Sequence, residues 1–203
     1  GRIVGNTASL VGLEKALEEK NAPLKKQALD KIVMLHGIIL TYGGIPMIYA
    51  GDELAVLNDY SYLKEADKKD DPRWLNRPKQ PWDVVATLEK KDSDASLIHQ
   101  TIKKMIGIRK KEPCLADPDP RTFIELDNPH LLAYMRSQKN SSAFFIVISN
   151  FSPQQQVIRV KHLIEGGCPK TDELFDLINE KKISLKRGWI TIKPYQLFWL
   201  KRI

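Results

Sequence analysis

Residues 42–53 read Tyr42-Gly43-Gly44-Ile45-Pro46-Met47-Ile48-Tyr49-Ala50-Gly51-Asp52-Glu53, and this stretch decides the fold. Pro46 to Ala50 is a short apolar run without alternation, the pattern of a strand covered on both faces. Behind it, Gly43-Gly44 stops a helical run that starts at Pro23 and places Leu24, Ala28, Ile32, Leu35 and Ile39 on one face. Ahead of it, Gly51 opens a polar loop. Helix, glycine turn, buried strand and polar loop is the order of an α/β layer, most simply of parallel strands with helical crossovers.

The pattern extends both ways. Upstream, Leu10, Val11, Leu13 and Leu17 recur at helical spacing and stop near Asn21-Ala22-Pro23. Downstream, Asn58 to Asp92 is a long polar segment containing Pro72, Pro78 and Pro81 with Tyr60, Tyr62 and Trp74. Loops of this length in compact domains carry function or are disordered. The aromatics favour function, because disordered segments carry few. A further helix is expected from Ser93 to Lys111. Glu112-Pro113 closes it, and Asp117-Pro118-Asp119-Pro120 forbids another. Beyond Thr122 the chain turns to short apolar or alternating runs at Thr122–Leu126, Leu131–Arg136, Ala143–Ser149, Gln156–Lys161, Glu173–Leu177, Ile183–Leu185, Trp189–Ile192 and Leu197–Lys201. Such a series of short strands predicts an antiparallel sandwich. The expected domains are 1–112 and 113–203.

Composition sets the outer bounds. At 203 residues the chain is too short for a whole (β/α)8 barrel with an appended domain. The 42% hydrophobic share can fill a core, and 28% charge fits an ordinary soluble surface. No apolar run approaches the length of a membrane span, so no membrane partner is expected. The chain opens at Gly1 without an initiator Met or a secretory signal pattern, and is expected to be a mature product or a piece of something longer. A net charge of +7 invites a nucleic-acid reading, but the excess is +3 in 1–112 and +4 in 113–203. No one-sided basic stripe results, so no nucleic-acid partner is expected. Cys114 and Cys168 give neither a disulfide framework nor a metal spacing, and His36, His99, His130 and His162 stand alone. No metal and no cofactor is expected, and the cysteines point to a reducing, cytoplasmic setting.

No self-sufficient active site appears in the residues themselves. Asp52-Glu53 and Asp70-Asp71 are sequence neighbours, which generally point apart, whereas glycoside chemistry needs two carboxyl groups facing one another. Asp52, following Gly51, reads alternatively as a helix cap. No nucleophile elbow occurs, and Gly43-Gly44 lacks phosphate-loop spacing. The end of the 46–50 strand nevertheless brings Asp52, Glu53, Asn58, Asp59, Tyr60, Arg73 and Trp74 to the carboxyl edge, where such folds work. Arg73 there either pins a carboxylate by a bidentate pair or makes a loop-to-surface salt bridge.

The segment 42–53 resembles the eighth strand of the glycoside hydrolase family 13 barrel, the α-amylase superfamily. Leu57-Asn58-Asp59-Tyr60 and Asp70-Asp71-Pro72-Arg73-Trp74-Leu75-Asn76-Arg77-Pro78 resemble the following loop of amylosucrases. The opening Gly1 to Leu13 is similar to the same enzymes, and Lys193-Pro194-Tyr195-Gln196-Leu197-Phe198-Trp199-Leu200 is similar to their last sandwich strand. The resemblance covers the whole chain but only the carboxyl-terminal third of such an enzyme. It implies an α/β plus all-β chain: the last portion of a (β/α)8 barrel (helix 7, strand 8, loop 8, helix 8) followed by an antiparallel β-sandwich.

The implied activity is that of a retaining glucosyltransferase that uses sucrose, extends an α-1,4-glucan and releases fructose. Its catalytic carboxylates belong to strands four, five and seven, so no catalytic residue is carried over. The chain alone is then expected to be inactive, with the remainder of the barrel as its partner. The resemblance places Arg73 at a loop arginine that closes the glucose pocket and Arg2 at an acceptor-side arginine; Asp52, at the carboxyl end of the strand, is a further substrate-binding candidate. Asn6, where a Gly-Thr or Ser-Gly-Thr run is common, and Pro72, where Ser is usual, depart from the pattern and bear on acceptor preference. Two other readings stay open: a different superfamily parent (sucrose phosphorylase or α-glucosidase), and a non-catalytic sandwich module that binds carbohydrate or a partner.

Overall fold

A computed structural model describes residues 4–90, 92–116, 121–138 and 141–202. The chain divides into two compact units. One comprises Gly1–Val33 and Ile48–Ile102, the other Met34–Met47 and Lys103–Ile203.

The first unit is helical, with a long irregular segment. Helices α1 (Thr7–Leu10) and α2 (Leu13–Glu18) replace the single expected helix. Gly12 causes the break: its φ of 96° is left-handed, which glycine adopts without steric cost. Helix α3 (Ala22–Tyr42) starts one residue before Pro23, and the Asn21 side chain accepts from the Leu24 amide at 3.1 Å. In its amino-terminal half Ala28, Leu29 and Ile32 are buried, as are Ala8, Leu13 and Ala16 of the preceding helices. After the short helix α4 (Trp82–Val85), α5 (Asp94–Lys111) adds Ile98 and Ile102. Ser93 Oγ accepts from the Ser96 amide at the start of α5, and Arg109, Lys110 and Lys111 fill its last turn, both favourable to the helix dipole.

Residues 46–50 depart from expectation. They form no strand ladder, since all eight strands among the described residues lie at 121 or beyond. Ile45 is 93% and Met47 82% exposed. A strand covered on both faces requires neighbouring strands and flanking layers, and the described chain supplies neither to this segment.

The second unit contains those eight strands, each overlapping an expected run: β1 (Arg121–Phe123), β2 (Leu131–Ser137), β3 (Phe144–Asn150), β4 (Gln156–Arg159), β5 (Glu173–Asp176), β6 (Lys181–Ser184), β7 (Trp189–Ile192) and β8 (Leu197–Lys201). All pairings are antiparallel. A six-stranded sheet runs β1-β2-β3-β8-β5-β6, and β4 pairs with β7 in a second sheet. The expected strand Gln156–Lys161 stops at Arg159, where α6 (Val160–Glu165) begins. Val160, Leu163 and Ile164 at helical spacing before Gly166-Gly167 were its signal.

Alternation decides what each face of the large sheet buries. Ile146 and Ile148 of β3, with Ala133, Phe198 and Leu200, face Ile158, Ile190 and Ile192 of the second sheet and Leu163 of α6. The opposite residues, Tyr134, Arg136, Phe145, Val147, Leu197 and Trp199, form the other face, with the Phe145 and Trp199 rings edge-on at 5.7 Å. This second face packs on the carboxyl-terminal part of α3. A Cβ at Gly37 would fall 2.0 Å from Leu197 Cδ2, so a larger residue there would displace the Leu197 side chain.

The end of α3 is held by arginines. The last four carbonyls of a helix lack intrahelical partners, and their partial negative charge favours cations. Arg109 donates to Leu40 O, Arg136 Nη1 to Thr41 O at 2.9 Å, and Arg121 Nη1 to Tyr42 O at 3.1 Å. Arg109 also reaches Gly44 O at 3.4 Å, and Arg121 stacks on the Tyr42 ring with its guanidinium carbon 4.0 Å from the centroid. Thr41 Oγ1 donates back to Gly37 O at 2.7 Å, which leaves the Tyr134 hydroxyl to donate to Thr41 across 2.7 Å. Burial pushes the Tyr134 hydroxyl up to about 12, so it keeps its proton.

Arg136 is 1% exposed. Arg136→Met should therefore lower stability by about 2 kcal/mol, the range for a hydrogen bond from a charged donor, measured as a shift in the urea midpoint. An unchanged midpoint would show that the cap contributes nothing. Asp176 offers a pH test in the same unit. It is fully buried and accepts from the Ile178 amide at 3.1 Å and from Asn179 Nδ2, yet desolvation outweighs these bonds and raises its pKa. A raised carboxyl pKa means the folded state binds the proton more tightly. Its contribution is full below the unfolded value near 3.8 and declines as pH rises through the folded value. Asp176→Asn should flatten that decline in urea midpoints measured upward from about pH 4.

Candidate functional site

Residues 51–82 fold as a chain of tight turns rather than an open loop. Gly51, at φ 102°, begins a 3₁₀ turn at Asp52–Leu54. Asp52 does not cap it. Its Oδ2 accepts from Thr7 Oγ1 at 2.9 Å, while the Glu53 carboxylate accepts from the Gly51 amide at 2.8 Å. Gln80 Nε2 reaches Glu53 Oε1 at 3.4 Å, bringing the far end of the segment back beside its start.

Asn58 is the second anchor. Its Oδ1 accepts from the Asn6 amide at 2.8 Å, and its own amide donates to Ser9 Oγ at 2.9 Å. Asn6 Nδ2 donates to Leu57 O at 2.7 Å, and Asn6 is buried. Tyr60 places its hydroxyl 3.1 Å from Glu14 Oε2. Asp59 accepts from the Ser61 amide at 2.8 Å, and hydrogen bonds from Ser61 hold its carboxyl below the usual range. Sequence reasoning missed Asn6 as an anchor. Asparagine directly before the run Thr7-Ala8-Ser9-Leu10 reads as a helix cap, but its side chain makes no cap bond to α1.

The Asp-Pro-Arg-Trp stretch forms a 3₁₀ turn at Pro72–Asn76, capped by Asp71, which accepts from the Arg73 amide at 3.0 Å. The Arg73 guanidinium folds back on the same carboxylate: Nε lies 2.8 Å from Oδ1 and Nη2 2.9 Å from Oδ2. This is a local, solvent-exposed pair, with 67% of the Arg73 side chain exposed. Arg73 holds the Asp71 carboxyl below its usual range, so the pair survives into acid. Two cations lie over the Trp74 ring, Lys68 Nζ at 4.9 Å and the Arg77 guanidinium at 5.7 Å from its centre. Two backbone ties fix the turn: Tyr49 Oη donates to Asn76 O at 2.9 Å, and the Asp59 amide to Leu75 O at 2.8 Å.

Asp52, Asn58, Asp59, Arg73 and Trp74 thus belong to one hydrogen-bonded turn system at the carboxyl end of residues 46–50. Arg2 lies outside the described residues. Among the described residues no group of three or more His, Cys, Asp or Glu is placed to hold a metal ion, and no helix is long and apolar enough to cross a membrane.

The fold as a whole is similar to that of known proteins. The crystal structure of AmyP in complex with maltose superposes with a TM-score of 0.66 at 15% identity, covering 86% of this chain and 35% of that one. The fold is similar to that of the carboxyl-terminal portion of α-amylases. The α-amylase of Geobacillus thermoleovorans, complexed with acarbose, gives a TM-score of 0.58 at 16% identity over 94% of this chain and 36% of its own. In sequence, the chain is 23% identical to glucosylglycerate phosphorylase of Escherichia coli (strain K12) over 172 residues, covering 84% of this chain. It spans 28% of the length of that relative. No family model matches. The likeness is one of fold, and it takes in both the helical part of the chain and the antiparallel sheet domain.

Asn6→Ala removes a buried side chain that donates to Leu57 O. The expected cost is about 1–3 kcal/mol, together with faster amide exchange at Asn58 and Tyr60. Unchanged exchange at these two amides would show that Asn6 does not anchor the turn system.

Proposed function

We propose that the chain is the carboxyl-terminal part of an α-amylase superfamily transglucosylase of the amylosucrase type. Such an enzyme cleaves sucrose with retention, passes the glucosyl unit to an α-1,4-glucan and releases fructose. The division is 1–112 as the end of the catalytic barrel and 113–203 as the sandwich domain. The observation that supports this reading is the Asp71-Pro72-Arg73-Trp74 turn, an amylosucrase-like motif tied to Tyr49 through Asn76 O. In this reading the turn lies at the carboxyl edge of the eighth barrel strand.

In this reading the catalytic carboxylates come from the rest of the barrel, and the 203-residue chain turns over nothing by itself. Arg73 is the residue that the remaining barrel engages. Its rotation away from Asp71 toward an acidic partner closes the glucose pocket, while Asp71 holds the guanidinium until then. Arg2 serves the acceptor side and Asp52 the substrate side of the same site. Cytoplasmic placement goes with this reading, in keeping with Cys114 and Cys168 forming no disulfide.

One observation favours a second reading: the 23% identical relative is a phosphorylase. Product analysis of the full-length enzyme on sucrose separates the two. Glucan with released fructose is the expected result, and glucose 1-phosphate formed in phosphate buffer would replace the amylosucrase reading with a phosphorylase. In the same enzyme Arg73→Ala should reduce transfer by about 100-fold, the scale of a misplaced substrate, with Asp71→Ala changing it far less. Equal, small effects of both substitutions would remove Arg73 from the pocket.

A further inference from the structure

The turn that carries Arg73 is held at both ends, but by bonds of different reach. At its start the Asp71 side chain accepts from the Arg73 amide at 3.0 Å, and the Trp74 amide donates to Asp71 O at 3.2 Å. Both bonds are internal and move with the turn. At its end the Arg77 amide donates to Trp74 O at 3.1 Å, and Pro78 follows with no amide hydrogen to give. The last two carbonyls are taken up from outside the turn. Leu75 O accepts from the Asp59 amide at 2.8 Å, and Asn76 O accepts from the Tyr49 hydroxyl at 2.9 Å, 27 residues away in sequence.

These two outside bonds lead to different supports. Asp59 follows Asn58, which Asn6 and Ser9 anchor, so its amide locates the turn against the amino-terminal end of the chain. Tyr49 belongs to residues 46–50, so its hydroxyl locates the turn against the segment that leads into Asp52. A single hydrogen bond leaves a pivot, and a second one to another support removes it. Functional side chains need this kind of support, since geometry must be kept to about 0.5 Å. Tyr49 is half exposed, so the bond rather than close packing of the ring does the holding. The Arg73 side chain is exposed as well. What the turn fixes is therefore the Arg73 backbone, while the guanidinium stays free to swing.

We propose that Tyr49 is a positioning residue for Arg73: through Asn76 it holds the turn where the guanidinium can reach the glucose pocket. The pocket role of Arg73 rests on the functional reading above; the hold on the turn rests on the bond from Tyr49 to Asn76. Without the hydroxyl, the turn pivots about the Asp59 bond, and the fraction of enzyme with Arg73 in place falls. The apparent affinity for sucrose falls by that fraction, while saturating sucrose draws the turn back and preserves the rate. Loss of folded enzyme would do the opposite, lowering kcat at an unchanged KM.

The test is Tyr49→Phe in the full-length enzyme, which removes the hydroxyl and keeps the ring. The KM for sucrose should rise about fivefold, the worth of one hydrogen bond, with kcat within about twofold. In an Arg73→Ala background the same substitution should raise KM no further, because its effect runs through Arg73. Hydrogen exchange of peptides covering residues 70–79 should quicken about fivefold, with residues 144–150 of β3 unchanged as evidence of folding. Unchanged exchange at 70–79, a lower kcat at constant KM, or an equal rise in KM in the Arg73→Ala background would each overturn the proposal. Faster exchange in an enzyme inert on sucrose would overturn the functional reading and leave the hold on the turn standing. Sucrose turnover that Tyr49→Phe leaves untouched would do the reverse.

Discussion

The carboxyl end of α3 is where the second unit is held together. Three of the helix's last four carbonyls receive an arginine donor: Leu40 from Arg109, Thr41 from Arg136 and Tyr42 from Arg121. A helix end buried against a sheet without partners would leave those carbonyls desolvated. Three guanidinium groups placed together would repel one another in isolation, and Arg121 and Arg136 are direct cross-strand neighbours. The negative end of the helix makes that crowding favourable. Helix end and arginine cluster therefore stabilise each other, and neither is well placed alone.

The layering follows from that contact. Because α3 covers one face of the large sheet and the β4–β7 sheet with α6 covers the other, β3 is buried along its whole length. Phe145 and Trp199 then occupy a dry layer that a two-sheet sandwich alone would leave to solvent. Gly37 is part of the same arrangement, as the position that lets Leu197 seat against the helix. Two carbonyls beyond Tyr42, Gly44 O still receives Arg109, so the glycine turn that leads toward residues 46–50 is held by the same cluster.

The turn system at residues 51–82 is organised differently. It has few buried apolar side chains and is held by side chain to backbone bonds from Asn6, Asn58, Tyr49 and Asp71. Such ties specify positions over short ranges while leaving charged and aromatic groups at the surface. Arg73 and Trp74 are presented that way. A site mounted on polar bonds can offer its guanidinium to a newcomer without dismantling a core.

Much of this was legible in the residues. Eight strands and the helices α3 and α5 follow from hydrophobic period and from Pro and Gly punctuation, which act locally. The break at Gly12, the helix α6 and the unpaired state of residues 46–50 were not foreseen. The first two turn on one residue's backbone preference within a short run. The third arises because an apolar pentapeptide specifies that it should be covered but not what covers it. Among the site residues, the motif around Asp71 and Arg73 stands out in sequence, whereas Asn6 does not, since its partners lie more than fifty residues away.

By itself, the sequence determined the order of elements, the alternating faces of each strand and the placement of charge at helix ends, all of which depend on near neighbours. Only the tertiary structure decided that Arg109, Arg121 and Arg136 converge on one helix end. It alone decided that Asn6 ties down Leu57 and Asn58, and that His162 lies beside Asp127. These are meetings of distant residues, fixed by strand register and helix packing rather than by local propensity.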